Sequence, residues 1–196
     1  MPHAPIVAPL RAYTANVETL GPVIVAVGGR DPSAALHAAR VFARLSPAGV
    51  LALSVLEPLP IHAFGEEPRL PPPSFDAERE AALEARLEAL VREASGEPGA
   101  WRMEVQLGDP AHVIADVAAR ERSPLIIMGI GRHSVVDRLL QRETVIRTIR
   151  LARSPVLAVS GAIASPPQRV VVGTDFSAES ALAAQAALSL MGDEGS

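Results

Sequence analysis

Pro22-Val-Ile-Val-Ala-Val27-Gly28-Gly29-Arg30-Asp31-Pro32-Ser33 is the stretch that decides the fold. Its apolar run is β-branched and shows no polar alternation. That is the signature of a strand buried on both faces, as the strands of a parallel sheet are. A glycine pair closes the run. Asp31 then has the chemistry of a helix N-cap, and Pro32 that of a first helical residue. Leu36, Ala39, Val41, Phe42 and Leu45 follow at helical spacing. Strand, glycine turn and capped helix together make the first half of a βα unit.

The same alternation continues outward. Val50-Leu-Ala-Leu-Ser-Val55 reads as a second strand, and residues 56–74 as a proline-rich loop. Residues 75–94 form an amphipathic helix, with Leu83, Leu87, Leu90 and Val91 on one face and Glu/Arg pairs on the solvated one. Trp101-Arg-Met-Glu-Val-Gln106 alternates like a half-buried strand. Asp109-Pro110 opens a helix to about Glu121, and Pro124-Leu-Ile-Ile-Met128 is a fourth strand. A helix within 135–152 and the strand Pro155-Val-Leu-Ala-Val159 complete the set. This order predicts an α/β fold, a Rossmann-like five-stranded parallel sheet with helices on both faces. Such sheets bind ligands outside the carboxyl ends of their strands. The candidate site is therefore Gly28-Gly29, the exit of the second strand at Val55, and the segment from Met128 and Gly129 to Ser134.

Composition narrows the chemistry. The chain has 196 residues, a 48% hydrophobic content and a net charge of -4, so it can bury a core and lacks the basic surface of a nucleic-acid or anionic-membrane binder. It has no cysteine, which removes disulfides, thiolate zinc sites and cysteine nucleophiles. All 18 basic residues are arginine, so no P-loop lysine or Schiff base is available. Aromatic residues are only 3%, too few for base-stacking platforms. The start, Met1-Pro2-His3-Ala4-Pro5, lacks the basic and apolar blocks of a secretory signal, and the expectation is a soluble cytoplasmic protein.

The expected organisation is an N-terminal extension over 1–20, a domain over 21–160 and a linker over 161–168. After the linker the pattern restarts. Val170-Val-Val-Gly-Thr-Asp175-Phe-Ser-Ala-Glu-Ser180 mirrors Val23 to Ser33 at an offset of 147, one domain length. Residues 169–196 therefore read as the opening strand and helix of a second, incomplete copy. One strand and one helix cannot bury a core, so this piece is expected to pack on the first domain or on a second chain, or to continue beyond Ser196.

These motifs, in this order, resemble the universal stress protein family. The likeness rests on the Val23–Val27 strand with its glycine turn, Val55-Leu56-Glu57-Pro58, Ile126-Ile127-Met128-Gly129 and Arg150-Leu-Ala-Arg-Ser-Pro155-Val-Leu-Ala-Val159. It implies a stress-response factor rather than an enzyme, and a homodimer or tandem-type pairing through Val156, Leu157, Ala158 and Val159. It also implies ATP as the candidate ligand, held by a Gly-x-x-Gly-x9-Gly-Ser/Thr signature after the fourth strand. Glycines there let backbone amides approach phosphate oxygens.

The signature is degenerate in this chain. Gly129 fills the first glycine. The second falls on Arg132, one place after Gly131, the third on Arg142 and the Ser/Thr on Glu143, followed by Thr144. The acid that the family carries at the tip of the first strand falls on Gly28. In the partial second copy that acid is present as Asp175, between Thr174 and Ser177. A carboxylate about 4 Å from a phosphate costs about 4 kcal/mol at an effective dielectric of about 20. An inward Glu143 would thus oppose triphosphate, and Arg132, Arg142 and Glu143 would form a polar plug. Outward, it would leave Arg132 and Arg142 to grip phosphate.

Other constellations have plainer readings. Gly28-Gly29-Arg30-Asp31-Pro32-Ser33 is similar to the pyrophosphate loop of ATP pyrophosphatases, which would make the chain an adenylating enzyme, but Val27 stands where that loop has its leading serine. His112 and Asp116 lie one helical turn apart with no third ligand in view, so no metal site is expected. His133 flanks the Gly129–Ser134 loop, and His62 sits with Glu66 and Glu67 in the proline-rich loop.

Overall fold

Every β-branched run identified above is a strand within the first 160 residues. The computed structural model describes residues 20–29, 31–58, 73–97, 99–130 and 135–191. In chain order these form β1 (Val23–Ala26), α1 (Ser33–Phe42), β2 (Val50–Leu56), α2 (Pro73–Ser95), β3 (Arg102–Leu107), α3 (Pro110–Glu121), β4 (Ile126–Gly129), α4 (Val135–Leu151), β5 (Val156–Val159) and α5 (Ala178–Leu190).

The five strands make one parallel sheet in the order β3-β2-β1-β4-β5. The chain lays β2 and β3 to one side of β1, then crosses to place β4 and β5 on the other. The order reverses between β1 and β4, where Ile24, Val25 and Ala26 pair with Ile126, Ile127 and Met128. A crevice opens at such a reversal, because the connecting helices leave in opposite directions.

Strand composition follows from this placement. β1 is central, and Val23, Ile24 and Val25 have no exposure. Val23 and Val25 face a core shared with Ala35, Leu36, Ala39 and Phe42 of α1 and Leu87 and Val91 of α2. Ile24 faces the opposite core, with Ile114, Val117 and Ala118 of α3 and Val145 of α4. The helices therefore cover both faces of the sheet. β3 is an edge strand, and its burial does not follow the expected alternation: Met103 and Leu107 are exposed, while Glu104, Val105 and Gln106 are half-buried.

Caps define two helix starts differently. Asp109 caps α3 as expected, its carboxylate accepting the His112 N–H at 3.2 Å, with Pro110 in the first turn. α1 begins one residue later than expected. Pro32 occupies its N-cap, and Asp31 instead accepts the Ser33 N–H at 3.1 Å from just outside the helix.

Residues 169–191 depart from the expected opening of a second copy at the strand. Val170–Val172 has no sheet partner among the described residues, and Val171 is 98% exposed. A strand exists only through a neighbour, and none of the five is beside it. The following helix does form, as α5, capped by Ser177, whose hydroxyl accepts the Ser180 N–H at 3.1 Å.

Candidate functional site

A cavity of about 270 Å³ opens at the carboxyl ends of the strands. β1 and its turn supply Ala26, Val27, Gly28 and Gly29, and β2 supplies Leu53, Val55 and, just past its end, Glu57. Pro110 and Ile114 come from α3, Met128 and Gly129 from β4, and Thr144 and Val145 from α4. Asp31 and Pro32 close the side next to α1. The floor is thus apolar, and the charged lining groups among the described residues are the carboxylates of Asp31 and Glu57.

Backbone geometry keeps the hollow open. Gly29 has φ 70°, a left-handed conformation that glycine adopts without a Cβ clash. The Ser54 hydroxyl donates to the Val27 carbonyl at 2.8 Å, which ties the exits of β2 and β1 together beneath the turn. Arg86 of α2 donates to the Gly29 carbonyl at 2.8 Å, and Arg79 to the Glu57 carbonyl at 2.9 Å. Two α2 arginines therefore hold the two strand exits that border the cavity. A second cavity of about 210 Å³ lies on the α2 side of the same turn, lined by Leu83, Arg86, Leu87 and Leu90.

The wall formed by α3 and α4 is fixed by charge. Arg147 places its two terminal nitrogens 2.9 and 3.1 Å from the Asp109 carboxylate oxygens. His112 Nδ1 lies 2.9 Å from the same carboxylate. The His112 side chain is the chief reason that the Asp109 carboxyl is held at about 2, below the usual carboxylate range; burial, the next largest effect, opposes it, and the His112 N–H and then Arg147 lower it further. Deeper in α4, the fully buried Thr148 hydroxyl donates back to the Thr144 carbonyl at 2.8 Å.

The residues expected from sequence fall into three groups. Gly28, Gly29, Val55, Met128, Gly129 and Thr144 line the cavity together. Glu143 is exposed and is not among the lining residues, because successive helical positions turn by about 100° and its neighbours Thr144 and Val145 take the inward side. Gly131, Arg132, His133 and Ser134 lie outside the described residues, as does the side chain of Arg142. His62 lies outside them too.

Pro110, Ile114 and Val145 were not anticipated as lining residues. The rule that found the site, strand carboxyl ends, extends to the helix that starts after β3, and applying it there would have found Pro110. Among the described residues no three His, Cys, Asp or Glu side chains converge, and His112 is directed to Asp109 rather than to Asp116.

Thr174, Asp175 and Ser177, expected from sequence as a second candidate site, form a local turn. Asp175 accepts the Ser177 N–H at 2.9 Å, and the Thr174 hydroxyl accepts the Phe176 N–H at 3.0 Å. The Ser177 hydroxyl and N–H, followed by Ser180, hold the Asp175 carboxyl at about 2.

The sequence pattern of the universal stress protein family matches residues 20–160, which contain all five strands and every residue that lines the cavity. The chain belongs to the universal stress protein family. Solved structures share its fold. The hypothetical protein PH0823 is 21% identical with a TM-score of 0.51, over 71% of this chain and 95% of that one. The hypothetical protein MJ0577 is 19% identical with a TM-score of 0.51, over 73% and 97%. A universal stress protein crystallised with cAMP is 19% identical with a TM-score of 0.47, over 72% and 97%. No curated protein matches the chain significantly. The family fixes the architecture of this universal stress protein domain. Among the described residues no helix is long and apolar enough to cross a membrane.

Proposed function

We propose that the chain is a stress-response factor of the universal stress protein family that holds an adenine nucleotide in the β1–β4 crevice. The observation that carries this reading is the open cavity of about 270 Å³ bordered by Gly28-Gly29, Gly129 and Thr144, which Glu143 does not fill. Its apolar floor of Val27, Val55, Ile114 and Met128 suits a flat base. Its carboxylates suit sugar hydroxyls and an exocyclic amine, both hydrogen-bond donors.

Charge orients the ligand. A phosphate about 4 Å from Glu57 would lose about 4 kcal/mol at an effective dielectric of about 20, roughly three decades in affinity. The phosphates therefore point away from Glu57, toward Gly129 and α4, with Arg132 before that helix and Arg142 within it in sequence. Binding there makes the protein a nucleotide-dependent interaction factor, and no chemical step is assigned to it.

The tandem reading of residues 169–191 belongs to the same proposal. Its support is conformational as well as sequential: Gly29 and Phe176, 147 positions apart, have φ 70° and 64°. Pairing through β5 belongs to it as well, since β5 is an open edge of the sheet. Thermal unfolding with and without nucleotide tests the ligand. Nucleotide at 100 times its dissociation constant should add about 2.7 kcal/mol of stability. No shift with AMP or ATP at millimolar concentration would refute the reading.

A further inference from the structure

The Gly28-Gly29 turn has a cavity on each side, and the two cavities carry opposite charge. The larger one is bordered by Leu53, Ile114 and Val145, which belong to the core under α3 and α4, and its charged lining groups among the described residues are Asp31 and Glu57. The second, of about 210 Å³, is bordered by Val27, Leu87 and Leu90, which belong to the core on the other face of the sheet. Its charged lining residue among those described is Arg86.

The residues around this second hollow explain why it exists. Gly28 has no side chain to fill it, and a Cβ there would meet nothing within 4 Å. Leu83, Leu87 and Leu90 supply an apolar wall from one face of α2. Ser54 lies beneath the turn, but its hydroxyl proton goes to the Val27 carbonyl at 2.8 Å. The Ser54 side chain therefore offers no proton to a ligand.

Arg86 differs from the arginines that flank it in α2. Arg79 pairs with Asp76, and Arg92 with Glu88. The positions three and four residues from Arg86 are Ala82, Leu83, Ala89 and Leu90, so the helix places no acid where its side chains meet. Among the described residues no carboxylate forms an ion pair with Arg86, and its hydrogen bond is to a neutral group, the Gly29 carbonyl at 2.8 Å. That bond uses one of the five N–H groups of the guanidinium. An exposed cation with donors to spare thus stands at the rim of an apolar hollow.

We propose that this second cavity binds a small monocarboxylic acid with an apolar body. The body lies against Leu83, Leu87 and Leu90, and the carboxylate accepts from the Arg86 N–H groups that Gly29 leaves open. An apolar cavity of about 150 Å³ takes up benzene, so about 210 Å³ admits a ring with one short substituent. Phenylacetate has that size and charge. The site is separate from the nucleotide reading, because its leucines lie on the other face of the sheet and its charge selects a different ligand.

A titration followed through isotope-labelled leucine and valine methyl groups of the full chain, without nucleotide, tests this. The probes are phenylacetate and its uncharged analogue phenethyl alcohol. Phenylacetate should shift the Leu83, Leu87 and Leu90 methyls saturably, with a dissociation constant below about 1 mM, and leave Leu53 and Val145 little changed. Arg86→Gln, with an unaltered melting temperature, should weaken phenylacetate at least about fivefold and phenethyl alcohol less than about twofold. An arginine that only ties the turn would move both ligands alike or neither. Leu83→Trp fills the hollow and should abolish binding of both. No saturable shift up to about 10 mM phenylacetate overturns the proposal. So do shifts centred on Leu53 and Val145, which put the acid in the first cavity, and equal responses of the two ligands to Arg86→Gln.

Discussion

Arg147 holds Asp109 through both of its terminal nitrogens, at 2.9 and 3.1 Å, and so ties α4 to the first turn of α3 beside the cavity. The same carboxylate caps α3. One side chain thus sets both the start of a helix and the spacing of two helices that line the site.

The Asp109 carboxyl ionises at about 2 in the fold, below its value in an unfolded chain of about 3.9. A depressed carboxylate adds stability that is fully present above about pH 4 and is lost as pH falls toward 2. The contribution is small because the side chain is 40% exposed. Asp109→Asn keeps a capping oxygen and loses the ionic contact, so it should flatten the decline in stability between pH 4 and 2. Asp109→Ala removes the cap as well and should cost about 1 kcal/mol at pH 7. Urea titrations of the three proteins at several pH values would show the difference, and an Asn variant with an undiminished acid decline would contradict it.

Gly21 sits where another chain segment leaves no room. A Cβ there would overlap the Glu121 carbonyl oxygen, which is backbone and cannot swing aside. The Gly21 N–H donates to the Arg122 carbonyl at 3.1 Å, and the Ser46 hydroxyl donates to the Gly21 carbonyl at 2.6 Å. Gly21→Ala should cost about 2–3 kcal/mol through forced displacement of this approach to β1. Chemical denaturation measures it, and a loss under 0.5 kcal/mol would show that the close approach is not needed.

Leu87 anchors α2 on the sheet at 2% exposure. Leu87→Ala should cost about 3 kcal/mol, combining lost burial with the cavity that remains. Leu83, half-buried on the same face, should cost clearly less when cut to alanine. Equal losses at the two positions would mean that α2 is seated differently.

Glu57 lines the cavity without lining arginines among the described residues to offset it. Glu57→Gln should tighten ATP binding by about two- to fivefold at low salt, with a smaller gain for AMP, because repulsion grows with ligand charge and is screened by ions. Gly28→Asp restores an acid at the tip of β1. A Cβ at Gly28 meets nothing within 4 Å, so the fold should change by under about 0.5 kcal/mol. Calorimetric titration of both variants with AMP and ATP tests the charge argument, and a Glu57→Gln variant that favours AMP more than ATP would oppose it.

Strand positions in the first unit were legible because burial on both faces demands unbroken apolar runs, as in Val23–Val25 and Ile126–Met128. The α3 start was legible because Asp109-Pro110 carries its cap in two adjacent residues. Val170–Val172 has an equally apolar run, yet it forms no strand, since pairing depends on neighbours that local sequence does not supply. The glycines and Thr144 of the cavity could be located by their strand ends. The inward or outward aim of Glu143 could not, because it depends on the rotation of α4 about its axis, and packing of Val145 and Thr148 sets that rotation.

Isothermal titration of AMP and ATP into the purified chain and into Val55→Trp tests the central claim most directly. Val55 lines both cavities at the β2 exit, and an indole there would occupy the space assigned to the base. Saturable one-to-one binding at micromolar concentration by the wild-type chain, reduced at least about a hundredfold in a folded Val55→Trp variant, is the predicted result. Binding that the indole leaves intact, or no binding by the wild-type chain, would contradict it.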